Sequence, residues 1–485
     1  MKARHCIALV FSTTACLDLG HSSSNSSQSG GGCGNGGNGS FGGGGGAGGG
    51  GGGGGAGGGG SGGGSQLPPP TNRGPQKMSD VHVEPSGEQA WIIHSAVADV
   101  HAIPQVTTAH FGAYVPALGS FVDVLDTTGT LGKKILFPAN DRVLLVTQRS
   151  TGEDVFVTVD TVARRPVRQR TYPGDRTDFR MSPTGRAVIA TNQADTMVHL
   201  IDTAGLVDQP IPGTTTVQEV AWASHDDVLY TVESKLGSTR LLRFDLRTAD
   251  LAMPIARPVL VATVSGDGSA IAVSPDDRFA AVTVGGSKIA LVDLTTAATT
   301  TIAGDQLPGF TNDDRMVVWR LGPDDTYDLR IVTPATGAAT PPIATGYVLP
   351  PTSIPLRRHD VVVVEPFLFE DKPGFLYGIT DGAITQIPNV ESMESWLERP
   401  GTSELWTWTE YDDTLRRLDL ITGKIVAMVS GVDSVDYRPA TDDIVIGTFD
   451  HSVRLFSMAT GRDIAIPLVL ADPNDTAAPY ALTAD

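Results

Sequence analysis

The chain has 485 residues, with 35 Lys+Arg against 54 Asp+Glu and a formal net charge of −19. A summed field of that sign repels phosphate backbones and most anionic head groups, so no nucleic-acid partner is expected. All three cysteines, Cys6, Cys16 and Cys33, lie ahead of the region that reads as folded, so neither a disulfide nor a thiolate zinc site is available to it.

Residues 1–15 have the parts of a signal peptide: Lys2 and Arg4, an apolar stretch from Cys6 to Phe11, then small residues to Ala15. Thr13-Thr14-Ala15-Cys16 resembles a bacterial lipobox, which implies lipid attachment at Cys16 and makes that cysteine the mature N-terminus. An ordinary secretory signal is the alternative. A lipid anchor would place the protein in a bacterial cell envelope, on the outer membrane or in the periplasm; the ordinary signal would make it secreted. No later apolar stretch approaches the ~20 residues of a membrane-spanning helix.

Residues 16–80 form a Ser-, Gly- and Pro-rich segment, almost pure glycine over much of 22–66. Glycine has the largest backbone entropy to lose and no side chain to bury, so the sequence predicts a disordered tether. Fifty such residues reach about 40 Å. Pro68-Pro69-Pro70 stiffens its end.

From residue 81 to 485 a strand-turn-strand pattern returns roughly every 45 residues. Ile271-Ala272-Val273, the turn Ser274-Pro275-Asp276-Asp277-Arg278, Phe279 to Val284, the turn Gly285-Gly286-Ser287 and Lys288 to Asp293 make the clearest copy. Pro275 sets φ for a tight turn, Asp276 bonds its own backbone and Gly tolerates positive φ. Similar orders begin at Met181-Ser182-Pro183-Thr184-Gly185-Arg186, at Phe310 to Arg315 and at Tyr437 to Asp443, giving about nine copies in all. A second turn recurs as Asp202-Thr203-Ala204-Gly205 and Asp419-Leu420-Ile421-Thr422-Gly423. Four strands repeated radially make a β-propeller blade, because ring closure hides edges that would otherwise pair between molecules. The expectation is an all-β chain with a single propeller of four-stranded antiparallel blades, eight in number, with seven and nine open.

The Ser-Pro-Asp-Asp-Arg and Ser-Pro-Thr-Gly-Arg turns, each followed by an apolar strand and an Asp-x-x-Thr-Gly-like hairpin, resemble the WD40-like, TolB and YVTN propellers of bacterial envelopes. The resemblance implies that these turns hold the blade together and mark no ligand site, and that a strand from one chain end completes the blade formed by the other. Tryptophans at 91, 222, 319, 396, 406 and 408 do not recur once per blade, unlike the docking pattern of quinoprotein propellers. No cofactor is therefore expected.

Several residue groups invite a chemical reading. His82, His94, His101 and His110 crowd the first copy, but spacings of 12, 7 and 9 match no compact zinc motif, so ordinary hydrogen-bonded histidines are expected. Asp313-Asp314 with Asp324-Asp325, and Asp226-Asp227, offer oxygen ligands without EF-hand spacing and read as turn residues. Trp406 and Trp408 share one strand face and read as buried between blades in preference to an exposed stacking platform. Arg164, Arg165, Arg168, Arg170, Arg176 and Arg180 locally reverse the sign of the chain; they read as a solvated loop, with a carboxylate or phosphate site as the sharper alternative. No catalytic residue and no metal site is assigned. The reading is a monomeric, envelope-anchored, non-catalytic binding or scaffold module for a protein or glycan partner. The alternative is a propeller enzyme, such as a lactonase, a hydrolase or a metal-dependent lyase, with its site at the central channel.

Overall fold

The computed structural model describes residues 77–481 apart from 98–106, 470–479 and shorter breaks in the loops; Cys16, the signal and the tether up to residue 76 lie outside the described residues. Within it, nine antiparallel sheets follow one another along the chain, so the propeller has nine blades: residues 77–128, 130–173, 176–210, 217–265, 268–303, 306–347, 352–387, 395–430 and 432–466. The count is one above the eight expected and is one of the two alternatives left open. The irregular first copy is a full blade, with long strands such as Thr107–Val115 and Ser120–Thr128.

Each blade takes four strands from one continuous stretch. The second strands, for example Val228–Lys235 and Phe279–Val284, are nearly continuous runs of buried residues, because both faces of a blade are covered by its neighbours. Alternation then sorts side chains between the two interfaces: Val143 and Leu145 pack toward blade 1, whereas Leu144 and Val146 pack toward blade 3. Nine buried apolar clusters result among the described residues, each shared by two adjacent blades. The core is thus a circle of inter-blade layers. In blade 6 the outer strand is split into Ala338–Ala339 and Ile343–Tyr347, both paired with the third strand, since Pro341 and Pro342 between them have no N–H for the ladder.

Closure differs from the expectation carried by the resemblance. Blades 1 and 9 are each complete, and they meet face to face through Val81, Val83 and Tyr114 against Val445, Val453 and Leu455. Asp436 accepts the Val83 amide at 2.5 Å across this junction, and the Arg438 guanidinium lies 5.7 Å from the Tyr114 ring. The end of the chain then adds outside: Leu468–Val469 and Tyr480–Ala481 pair parallel with the outer strand of blade 1, Ser120–Thr128. With four strands already supplied locally to every blade, the free outer edge is where a closing segment finds unpaired backbone groups.

First strands of neighbouring blades lie next to one another around the axis. Seven of the nine carry a register shift against their second strand; in blades 1, 2, 4, 5 and 9 one extra residue, at 79, 133, 218, 269 and 433, sits near the strand start. Such bulges bend the strand and re-aim a side chain.

Candidate functional site

The recurring turns between first and second strands join blades to one another. Asp277 of blade 5 reaches back to blade 4, accepting from the Ser224 amide and, at 3.1 Å, from the His225 amide. Asp314 of blade 6 accepts the Asp276 amide of blade 5 at 2.9 Å, and Asp227 of blade 4 accepts the Thr184 amide of blade 3 at 3.2 Å together with its hydroxyl. Asp277 and Asp314 do this from the left-handed region, with φ of 56° and 62°, which a short polar side chain tolerates. The turn arginines reach forward. Arg186 of blade 3 donates to the Leu246 and Ala249 carbonyls of blade 4, and Arg315 of blade 6 donates to the Ile379 carbonyl of blade 7. Asp313 bonds Thr311 and Arg315, and burial, which pushes its carboxyl up, is outweighed by those partners, so it lies below its ordinary value. Asp324 accepts from Thr326 within its own turn, and Asp226 faces Arg247 at 3.4 Å. The acidic pairs singled out in the sequence are therefore turn and inter-blade groups. At one blade junction the fit is backbone against backbone: a Cβ on Gly185, at φ 74°, would meet the Pro138 carbonyl oxygen of blade 2 at 2.0 Å.

Charge gathers instead between blades 2, 3 and 4. Lys133, the bulged residue of blade 2, donates to Asp154 at 2.7 Å, to Asp175 at 2.6 Å and to the Arg176 carbonyl at 2.9 Å. Asp154, fully buried on the third strand of blade 2, also accepts the Arg176 amide at 2.8 Å. Arg176, 2% exposed, pairs with Asp208, whose other oxygen lies 3.0 Å from His199 Nδ1. Burial raises Asp175, but the Lys133 ammonium and Gln148 outweigh it and hold the carboxyl below its ordinary value. Further along the strand that begins at Arg176, buried Arg180 forks onto Asp178 at 2.8 and 3.2 Å and pairs with Glu219 of blade 4 at 2.9 Å. Burial pushes the Glu219 carboxyl up despite the Arg180 charge beside it. Cations and carboxylates alternate along this seam, so each acid is neutralised by a neighbour. None of these residues except Arg176 and Arg180 stood out in the sequence; a lysine or carboxylate inside an apolar strand pattern is the signal that was available.

The remaining expected residues are dispersed. His82 is buried on the first strand of blade 1 with its ring edge-on to Phe137, centroids 6.5 Å apart. His94 and His110 stand opposite one another in register on the second and third strands of that blade, while His101 lies outside the described residues. Among the described residues no group of three or more His, Cys, Asp or Glu side chains is placed to hold a metal ion. Trp406 and Trp408 are buried between blades 8 and 9, Trp406 edge-on to Tyr437 at 5.5 Å. The six arginines divide: Arg176 and Arg180 belong to the seam, whereas Arg164, Arg165, Arg168 and Arg170 stand at or beside the outer strand of blade 2, Arg165–Pro173, which replaces the loop expected there.

Among the described residues, open clefts between blades include two with polar linings. One, of about 460 Å³ between blades 5 and 6, is lined by Ser287, Lys288, Thr301, Asp305 and Arg320. Asp305 there accepts the Leu321 amide at 2.6 Å, leaving the two cations facing the cleft. The other, of about 260 Å³, lies beside Arg186, Asp202 and Asp250.

No family model matches the chain, and no curated protein matches it. Among solved structures it is similar to Sqt1 from Chaetomium thermophilum, determined bound to the N-terminus of a ribosomal protein, with 13% identity, TM-score 0.43 and coverage of 66% of this chain and 94% of that one. It is also similar to the β-propeller domain of Cps50 (Swd1) from Myceliophteria thermophila, with 14% identity, TM-score 0.33 and coverage of 61% and 98%. A third similar structure is the dihydro-heme d1 dehydrogenase NirN in complex with DHE, with 12% identity, TM-score 0.44 and coverage of 83% and 75%.

Proposed function

We propose that this chain is a non-catalytic binding or scaffold module for a protein or glycan partner, held at a bacterial cell envelope by a lipid on Cys16 and by the Ser/Gly/Pro-rich segment that follows. The observation that carries the reading is the pairing of the acids in the seam between blades 2 and 3: Asp154, Asp175 and Asp208 each face Lys133 or Arg176. A general acid or base needs a group free to exchange its proton with a substrate. The outer strands, turns and clefts supply the exposed surface for a partner.

Affinity capture with the full-length chain from an envelope extract tests the binding half; a partner retained through washing at moderate salt is expected, and repeated failure to retain any protein or glycan overturns it. Cys16→Ala tests the anchor. Release from the membrane fraction is expected, and unchanged partitioning refutes lipid attachment there. One observation favours the enzymatic alternative, the raised carboxyl of Glu219 on a first strand. Loss of a hydrolytic activity in Glu219→Gln, with the fold intact, would replace the binding reading by that one.

A further inference from the structure

The outer strand of blade 2 carries a basic row that the seam does not absorb. Arg170 stands opposite Phe156, Arg168 opposite Thr158 and Arg165 opposite Asp160, with a register shift that leaves Val167 as the extra residue. Residues 156, 158 and 160 share one face of their strand, so their three partners share it too; without the bulge, Arg165 and Arg168 would point to opposite faces. The shared face is the one directed at blade 3, where Phe156 meets Phe179 and Arg168 donates to the Ala204 carbonyl at 2.9 Å. Arg165, Arg168 and Arg170 are exposed, and none of them has an ion-pair partner among the described residues. The acids nearby are engaged elsewhere: Asp160 by Arg142 and the amides of Val162 and Ala163, Asp202 by the amides of Ala204 and Gly205.

Edge protection alone does not account for this row. A free outer strand is commonly blunted by charge, yet the outer strands of blades 4, 5, 7 and 8, with sequences VLVATVS, TTTIA, ITQI and IVAMVS, carry none.

We propose that this row binds an extended acidic polypeptide, a surface that gives the binding reading above its partner chemistry and rests on it. Alternate side chains of an extended strand repeat at about 7 Å, the step between successive arginines of the row. Carboxylates on one face of such a strand therefore meet guanidiniums in register, and each guanidinium fork takes a carboxylate through two parallel N–H donors. The row is one residue wide and lies beside the 203–207 turn of blade 3, which suits a chain better than a plane. A net charge of −19 further disfavours an anionic membrane.

The test uses the full-length protein and a fluorescein-labelled peptide of alternating Glu and Ser, read by anisotropy at low salt. Binding is expected to be weaker for a peptide of equal composition with its Glu residues in one block. Arg165→Glu with Arg170→Glu is expected to weaken binding about tenfold. Lys288→Glu with Arg320→Glu, at two exposed cations of the cleft between blades 5 and 6, is expected to leave it within about twofold. Circular dichroism confirms that both variants keep the fold, the altered residues being exposed. No binding of the alternating peptide, equal loss in both double variants, or binding to phosphatidylglycerol vesicles in place of the peptide each overturns the proposal. A captured partner indifferent to the Arg165/Arg170 variant would leave the binding reading standing and remove the row from it. Peptide binding without any captured partner would do the reverse.

Discussion

Replacing Asp154 by Ala removes the carboxylate at the centre of the seam between blades 2 and 3. It accepts from Lys133 Nζ at 2.7 Å and from the Arg176 amide at 2.8 Å with no solvent exposure. Removing one partner of a buried ion pair leaves the other uncompensated, at a cost of about 3–5 kcal/mol. Lys133 keeps Asp175 and Arg176 keeps Asp208, which sets the expectation at the lower end, about 3 kcal/mol. Urea unfolding followed by tryptophan fluorescence measures it: with a slope of about 3 kcal/mol/M, the midpoint falls by about 1 M. Lys133 and Asp154 are in direct contact, so Lys133→Met added to Asp154→Ala is expected to lose less than the sum of the singles by about 1 kcal/mol or more. A single-variant loss below about 1 kcal/mol, or an additive cycle, refutes the account of the seam as a coupled network.

Gly185→Ala combines positive φ with the clash against the Pro138 carbonyl and is expected to cost about 3 kcal/mol or more, whereas Gly152→Ala, at φ 83° with open space around it, costs about 1–2 kcal/mol; thermal midpoints that fall equally would contradict this. Trp406→Ala empties the layer between blades 8 and 9 and destabilises by about 3–5 kcal/mol, read by urea unfolding. The Thr295 hydroxyl and the amides of Thr295 and Thr296 hold Asp293 at about 2, below its ordinary 3.8. Its folded value being the lower, its stabilisation is complete above about pH 4 and is lost as pH falls toward 2, so Asp293→Asn is expected to flatten the decline of the urea midpoint across that window.

The blade architecture is legible because its determinants are local. Short apolar runs rich in β-formers define strands such as Phe279–Val284, and Ser274-Pro275-Asp276-Asp277-Arg278 contains its own turn chemistry, including the Ser274 hydroxyl that bonds the Phe279 amide at 2.9 Å. The same residues also carry contacts that sequence spacing does not reveal: Asp277 bonds a turn more than fifty positions earlier. The count of copies, about nine, pointed to nine blades, and the irregular spacing of the first copy argued against it. The seam was hidden for a similar reason, since Lys133, Asp154 and Asp208 sit on three different strands, Asp175 on the link between blades 2 and 3, and they meet only through a bulge and an inter-blade junction. The arginine run shows the limit most clearly. Read linearly it is one basic segment; the bulge at Val167 and the crossing from blade 2 to blade 3 turn it into a surface row and two buried ion-pair partners.

The two ends of the folded region meet in one blade and on opposite sides of it. Lys77 opens the innermost strand of blade 1, and Tyr480–Ala481 pair with its outermost strand. A pull arriving through the chain ahead of Lys77 would therefore be delivered to the hub of the ring, onto a strand flanked by blades 2 and 9. The rim carries the other end, so force entering at the hub meets a strand held by its ladder to the second strand of blade 1 and by contacts with blades 2 and 9. The molecule is arranged like a wheel that the chain enters at the axle and closes at the rim, both within the same blade.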